Sequence, residues 1–213
     1  AFLLLYTSDW TAKNSFGLLY WLPEMPLWMA VFVGVLFLDL IGAWLAHFVE
    51  HKVRVLWGFH LVHHTDMEVD TTSANRHHPL ESIVRFLFTC LAVFVVGAPV
   101  AYIMLYQGLS VVFSQFNHAN IKLPAKADAL LSWVIVSPNM HKIHHHYQLP
   151  YTDSNYGNIF SIWDRLFGTF STMLIDQIVY GVDTYPDPAA NKSLKELLKI
   201  PFNAYRKSEI PGE

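Results

Sequence analysis

The sequence predicts an all-α fold: an integral membrane helical bundle carrying a cytosolic, histidine-rich helical cap. Three observations predict it. Hydrophobic residues make up 53% of the 213 residues and charged residues only 15%, against about 25% charged in a typical soluble domain. Residues 26–49 and 86–121 are nearly all apolar, and the second stretch contains no Asp, Glu, Lys or Arg. The 12 histidines gather into a few short motifs in the polar segments beside these stretches. The length suits a single domain over residues 1–213. A net charge of −3 argues against a nucleic-acid partner. The single cysteine, Cys90, excludes an intrachain disulfide and leaves nitrogen and oxygen as the donors for any metal.

Taken in order, residues 1–23 are aromatic-rich and interrupted by Asp9, Lys13 and Pro23. They read as an interfacial or partly spanning segment, with Trp10, Tyr20 and Trp21 suited to the headgroup level. The opening AFLLLY carries no basic start or small-residue exit of a cleaved leader. It reads as the end of a cut segment, so a further spanning helix is expected upstream. Residues 26–49 are long enough to cross a bilayer as a helix, for which about 20 suffice. Asp39 is the one charge inside them and, with Ala43, His47 and His51, falls at intervals of four along one stripe. It is either a functional group at membrane depth or a helix-contact residue. Residues 50–82 are polar, and Lys52, Arg54, Arg76 and Arg85 place them on the cytoplasmic side. A short helix is expected over residues 57–65, and Pro79 biases His78 toward an extended backbone. The charge-free run is too long for one crossing. Gly97-Ala98-Pro99 near its middle predicts a helical hairpin that dips in and returns to the starting side, or two tilted short helices broken near Pro99. Residues 130–136 are a short apolar stretch, and Ser137-Pro138 suits a helix start. SLKELLKIPF, from Ser193, predicts a serine-capped amphipathic helix able to lie on a membrane surface.

The histidines carry the chemistry. His47-x-x-x-His51, His60-x-x-His63-His64 and His141-x-x-His144-His145 each put two or three imidazoles on one helix face. Neutral imidazole is the commonest protein metal ligand, and packing alone gives no reason to repeat H-x-x-H-H. The set exceeds the four ligands of a closed zinc site. It matches a pair of iron ions better, with zinc a possible substitute in purified protein. Iron adds redox chemistry with dioxygen as co-substrate, and adjacent apolar helices offer access to an acyl chain or sterol. Glu50, Asp66, Glu81, Asp153 and Asn155 lie near enough in sequence to orient the imidazoles.

These residues resemble a known family. The ordered H-x-x-x-H, H-x-x-H-H and H-x-x-H-H set is similar to that of the fatty acid hydroxylase/sterol desaturase superfamily of membrane di-iron oxygenases. Trp57-Gly58-Phe59-His60 resembles its W-x-F-H. Arg76-His77-His78-Pro79-Leu80-Glu81 resembles its R-x-H-P-x-E, which points to His78 rather than His77. Phe116-Asn117-His118-Ala119-Asn120 resembles its H-[SA]-N element. Asn155-Tyr156-Gly157 and the segment WDRLFGT from Trp163 resemble its closing motifs, so the likeness covers about residues 40–172.

By position, the resemblance implies His47, His51, His60, His63, His64, His78, His118, His141, His144 and His145 as ligands, with no further catalytic residue. His77 and His146 are extra and read as exposed, with a ligand-orienting or proton-handling role as the alternative; Asp164 and Arg165 read as a structural ion pair. The family implies oxygen- and electron-dependent hydroxylation or desaturation of a lipid C–H bond. It also implies electrons from a separate reductase, ferredoxin or cytochrome b5-type protein, and a site on the cytoplasmic face of a bacterial inner membrane or the endoplasmic reticulum. The competing expectation is a histidine-rich membrane metal-binding or transport protein without oxygenase activity.

Overall fold

Three helices form the apolar body that carries the histidines. The computed structural model describes residues 2–185 and 193–203, and among them helices dominate, with two isolated β-bridges and no extended strand. Helix α1 (Phe2–Lys13) and the short α2 (Leu18–Trp21) precede α3 (Leu27–Asp39). Helix α3 continues through a π-helical stretch, Leu40–Leu45, into α4 (Ala46–Lys52). Helix α5 (Arg54–His64) follows at once, then α6 (Pro79–Val96) and α7 (Val100–His118).

The α6–α7 hairpin forms where Gly97-Ala98-Pro99 predicts it. Gly97 closes α6 in the left-handed region at φ +69°, and Pro99 stands at the start of α7. Its apolar side, Ala92, Val93, Val96, Ile103 and Tyr106, packs against Val35 and Leu38 of α3. The hairpin tip is closed by the N-terminal helices. Ser8 Oγ donates to the Ala98 carbonyl at 2.8 Å, and Trp10, Phe16 and Phe94 cluster with ring centroids 4.6–5.6 Å apart. Gly17, at φ +116°, lies so close to Gly97 that a Cβ there would collide with the Gly97 backbone. Two helices, Leu27–Lys52 and Pro79–Val96, are long and apolar enough to cross a membrane, with mean hydropathies of 2.2 and 1.9. Leu27, Trp28, Met104, Val111 and Val112 turn outward and are exposed.

The last third of the fold wraps the cap. It contains α8 (Ala125–Leu131), α9 (Pro138–His144), α10 (Ile162–Leu166) and α11 (Leu194–Lys199). Ser137 caps α9 as its sequence suggests, its Oγ accepting from Met140 N at 3.1 Å. Two fully buried carboxylates pin residues 155–169 to the body. Asp39 accepts from the Ile159 and Phe160 amides and the Trp163 indole at 3.1–3.2 Å, which gives the charge in the first apolar run a structural role. Asp164 accepts from the Trp44 indole, the Tyr156 and Gly157 amides and the Thr169 hydroxyl at 2.6–3.0 Å. The expected Asp164–Arg165 pair is therefore replaced. Arg165 instead donates to the Ser132 carbonyl and lies over the Trp133 and Phe170 rings. The C-terminal expectation also changes. Helix α11 packs Leu197, with Ile200 beyond it, against Leu61 and Val62 of α5, and Ser193 sits at the cap position without a side-chain hydrogen bond. An apolar partner was available inside the fold, so the amphipathic face is used there.

Candidate metal centre

The histidine motifs converge because four helix ends meet over the open side of the hairpin. Helix α4 brings His47 and His51, α5 brings His60, His63 and His64, α7 ends on His118, and α9 brings His141 and His144, followed by His145. Two all-histidine groups result, each with its donor atoms within 4.8 Å of one another, and a third set, His60, His77 and Glu81, shares His60 with the first. The first holds His47, His51, His60, His64 and His144; the second holds His63, His118, His141 and His145. All nine side chains are buried. The groups adjoin: the His64 and His145 rings stand 4.7 Å apart and those of His141 and His144 5.2 Å. Early and late motifs touch directly, with the His47 and His144 centroids 4.5 Å apart.

The first group has its tautomers set from behind. Nδ1 of His47 faces the Tyr156 carbonyl at 2.8 Å, and Nδ1 of His144 faces the Ser154 carbonyl at 2.7 Å. A carbonyl only accepts, so Nδ1 carries the proton and Nε2 turns its lone pair inward. Nδ1 of His51 meets Asp153 at 3.2 Å and Nδ1 of His60 meets Glu81 at 2.8 Å. Glu81 is itself held by Arg85, at 3.0 Å, which also pairs with Glu50 of α4 at 2.8 Å. In the second group His118 Nδ1 donates to the Ser114 carbonyl at 2.8 Å. The Nε2 atoms of His63, His141 and His145 then stand 3.0–3.3 Å from His118 Nε2.

This geometry fits a cation. Nitrogens about 2.0–2.1 Å from a tetrahedral ion stand about 3.4 Å from one another. Lone pairs crowded this closely repel unless a positive charge lies between them. His51 Nε2, His144 Nε2 and both ring nitrogens of His64 are buried with no hydrogen-bond partner, a costly state that coordination relieves at one nitrogen of each ring. The donor set is all nitrogen.

Burial pushes His63, His64, His141, His144 and His145 well below the usual imidazole range, and neighbouring imidazoles push the same way. Burial takes His60 down to about 3 even though Glu81 opposes the shift. These rings are neutral and ready to ligate at neutral pH. The native pKa values lie below the unfolded value, so stability is complete above about pH 6.5 and falls as acid protonates the unfolded chain first. Each such imidazole contributes up to about 1.4 kcal/mol per pH unit below that point. Proton competition for metal acts in the same direction. Thermal unfolding followed from pH 7.5 to 5 is expected to show a steep fall in Tm; a flat profile would contradict the assignment.

Several sequence expectations are corrected. His78 lies in neither group. Its Nδ1 accepts from Leu80 N at 3.1 Å as the cap of α6, and its ring lies against Phe59. His77 takes the inward place, stacked on His63 at 4.6 Å, with its nitrogens at Glu81 and the Ala74 carbonyl. Of the candidate orienting residues, Glu81 and Asp153 contact imidazoles. Asp66 instead accepts from Ser73 Oγ, and Asn155 bonds the Met140 and Ser171 backbones at φ +54°. The carbonyls of Ser114, Ser154 and Tyr156 were missed, since a backbone acceptor has no sequence signature.

His146 is buried, not exposed, and its Nδ1 accepts from Val179 N at 3.1 Å. His146→Ala is expected to cost about 1–2 kcal/mol of stability while metal content stays at the wild-type level, read by denaturation and elemental analysis.

The comparisons follow this geometry. The model of the family described as fatty acid hydroxylase matches residues 31–169. The ornithine lipid hydroxylase OlsE of Rhizobium tropici is 24% identical over 151 residues, covering 71% of this chain and 44% of that protein. The alkylglycerol monooxygenase of Xenopus tropicalis is 27% identical over 172 residues, covering 78% and 36%. The human alkylglycerol monooxygenase is 26% identical over 160 residues, covering 75% and 33%. The chain thus spans less than half the length of these curated relatives. No solved structure matches it. With the family match running from α3 through the last buried carboxylate, and all nine grouped histidines inside it, the chain belongs to the fatty acid hydroxylase family.

Proposed function

We propose that this protein is a membrane-embedded di-iron oxygenase that hydroxylates a lipid C–H bond. The carrying observation is the convergence of nine buried imidazoles from four helix ends into two adjoining groups. His47, His51, His60, His64 and His144 would hold one ion, and His63, His118, His141 and His145 the other. Iron bound there would supply dioxygen reduction and attack on an unactivated C–H bond. One oxygen atom would enter that bond and the other would leave as water, with two electrons supplied by a separate redox protein and two protons by solvent.

The chain's own residues prepare this chemistry. Glu81, Asp153 and three backbone carbonyls hold His60, His51, His118, His47 and His144 in the ligating tautomer. Leu27–Lys52 and the α6–α7 hairpin would lie in the bilayer, with the cap on its cytoplasmic side. The relatives are named as a lipid hydroxylase and monooxygenases, which favours hydroxylation over desaturation. The test is purification in detergent, elemental analysis and lipid profiling under labelled dioxygen with a reductase. Paired iron and one labelled oxygen atom in a lipid product are expected. A metal-loaded protein that transfers no label to any lipid would overturn the reading.

A further inference from the structure

The two buried carboxylates mark how deep the cap reaches. Asp39 and Asp164 satisfy the amides of residues 156, 157, 159 and 160 and the indoles of Trp44 and Trp163. At a surface water would do this; within a bilayer, irregular backbone persists only with such internal partners. The neighbours on α3 give the depth. The Phe160 ring stands 6.1 Å from Phe32, and Trp163 stands 6.2 Å from Phe37. Phe32 precedes His47 by 15 residues, about 20 Å along a helix. Residues 132–136 keep to the same level, since Ile135 and Phe160 form a β-bridge and Ser161 Oγ donates to the Ser132 carbonyl at 2.6 Å. The outer side of this edge is apolar: Trp133, Val134, Ile162, Leu166 and Phe167 are 47–66% exposed. Such a row is costly in water and favourable against acyl chains.

Beside the edge opens a cavity of about 740 Å³ between α8, α9 and residues 170–177, with the exposed Trp133 and Leu174 among its lining. None of the nine grouped histidines lines it, so it is separate from the metal centre. Lys122 pairs with Asp176 at 2.6 Å, and Asp128 takes the Ser137 hydroxyl. Arg165 has no carboxylate partner among the described residues. Its guanidinium lies 4.1 and 3.7 Å from the Trp133 and Phe170 ring centroids, and its Nε and Nη2 turn to the Ser132 carbonyl. Nη1 makes no hydrogen bond to the described residues and suits an anion. A cation with an unused donor beside an exposed apolar edge fits an anionic group attached to hydrocarbon.

We infer that this edge of the cap is sunk in the cytoplasmic leaflet and that the cavity seats a leaflet phospholipid, its phosphate on Arg165 and its acyl chains along Trp133, Ile162 and Leu166. This lipid is a structural ligand, bound apart from the histidines, that holds residues 132–167 against α3. The inference shares with the oxygenase reading only the placement in a bilayer.

The test has two arms on the intact metal-loaded protein. In nanodiscs, with Cys90→Ser as background, nitroxide labels at Leu166→Cys, Val111→Cys and Glu68→Cys compare collision with dioxygen and with a water-soluble nickel chelate. Leu166 is expected to match Val111 of α7 at acyl depth and to differ from Glu68 in the polar loop before α6. A label in water at Leu166 but at acyl depth at Val111 overturns the inference alone; water at both overturns the bilayer placement of the oxygenase reading too. In detergent, native mass spectrometry compares dioleoyl phosphatidylglycerol, dioleoylglycerol and inorganic phosphate. The phospholipid is expected to bind at least about tenfold more tightly than the diacylglycerol. Arg165→Gln should remove that preference at unchanged metal content, and Arg165→Lys should keep part of it. Equal binding of the two lipids, a preference untouched in Arg165→Gln, or inorganic phosphate bound as tightly as the phospholipid overturns the seat. Neither arm reads turnover, so a protein that oxidises no lipid can still show both results.

Discussion

Replacing His144 by alanine is expected to abolish turnover while the helical fold survives. His144 belongs to the five-imidazole group, its Nδ1 is committed to the Ser154 carbonyl, and its Nε2 has no other partner. Alanine removes a donor that no neighbour can replace, because His47, His51, His60 and His64 are already committed to the same group. The expected loss is roughly 1,000-fold or more in rate, the scale of removing a metal's contribution to the barrier. One metal of the pair should be lost or weakly held. His63→Ala is expected to do the same to the second group. Circular dichroism should remain helical in both, since the helices stay packed through the apolar body away from the rings that are removed. Normal metal content and turnover in His144→Ala would remove that ring from the ligand set.

The second large effect is on stability. Asp164→Ala leaves the Trp44 indole and two buried backbone amides without an acceptor, while the half-buried Thr169 hydroxyl keeps only the Asp164 carbonyl. Each orphaned donor costs about 1–3 kcal/mol before relaxation, so a total of about 3–5 kcal/mol is expected. The damage should reach the metal centre. The amide of Tyr156 is held by Asp164, and the carbonyl of the same residue fixes the tautomer of His47. A lowered Tm together with weaker metal binding is therefore expected, measured by thermal unfolding and chelator competition. Trp44→Phe, which removes one donor and leaves the carboxylate in place, should be milder in both. A variant that lost stability yet bound metal with wild-type affinity would break the proposed link between the two.

Much of this arrangement was legible in the residues. Intervals of three and four fix which imidazoles share a helix face, and Gly97-Ala98-Pro99 marks the reversal that returns His118 to the others. The choice between His77 and His78 was not legible. Pro79 sets the backbone of His78, but which ring turns inward depends on the first turn of α6, where Leu80 N takes the His78 nitrogen and Glu81 takes His77. Asp164 and Arg165 are neighbours of opposite charge, and adjacency suggested a pair. The fold directs them apart, because four donors surround the carboxylate and two aromatic rings accept the guanidinium. Asp66 stands two residues from His64 and Asp153 eight from His145, so sequence distance favours the carboxylate that the fold turns away. Only the path of residues 146–154 over α4 separates them.

The π-helical stretch at Leu40–Leu45 bears on how this chain tolerates changes in length. At ordinary pitch, positions eight apart, such as Asp39 and His47, differ in azimuth by about 80°. The widened coil takes up roughly one surplus residue and cancels most of that offset. Both side chains can then address residues 156–160, Asp39 through the Ile159 and Phe160 amides and His47 through the Tyr156 carbonyl. Excising a single residue such as Ile41 would let the coil tighten with the phase of both ends preserved. The same excision in α5 would swing His63 and His64 away from their partners.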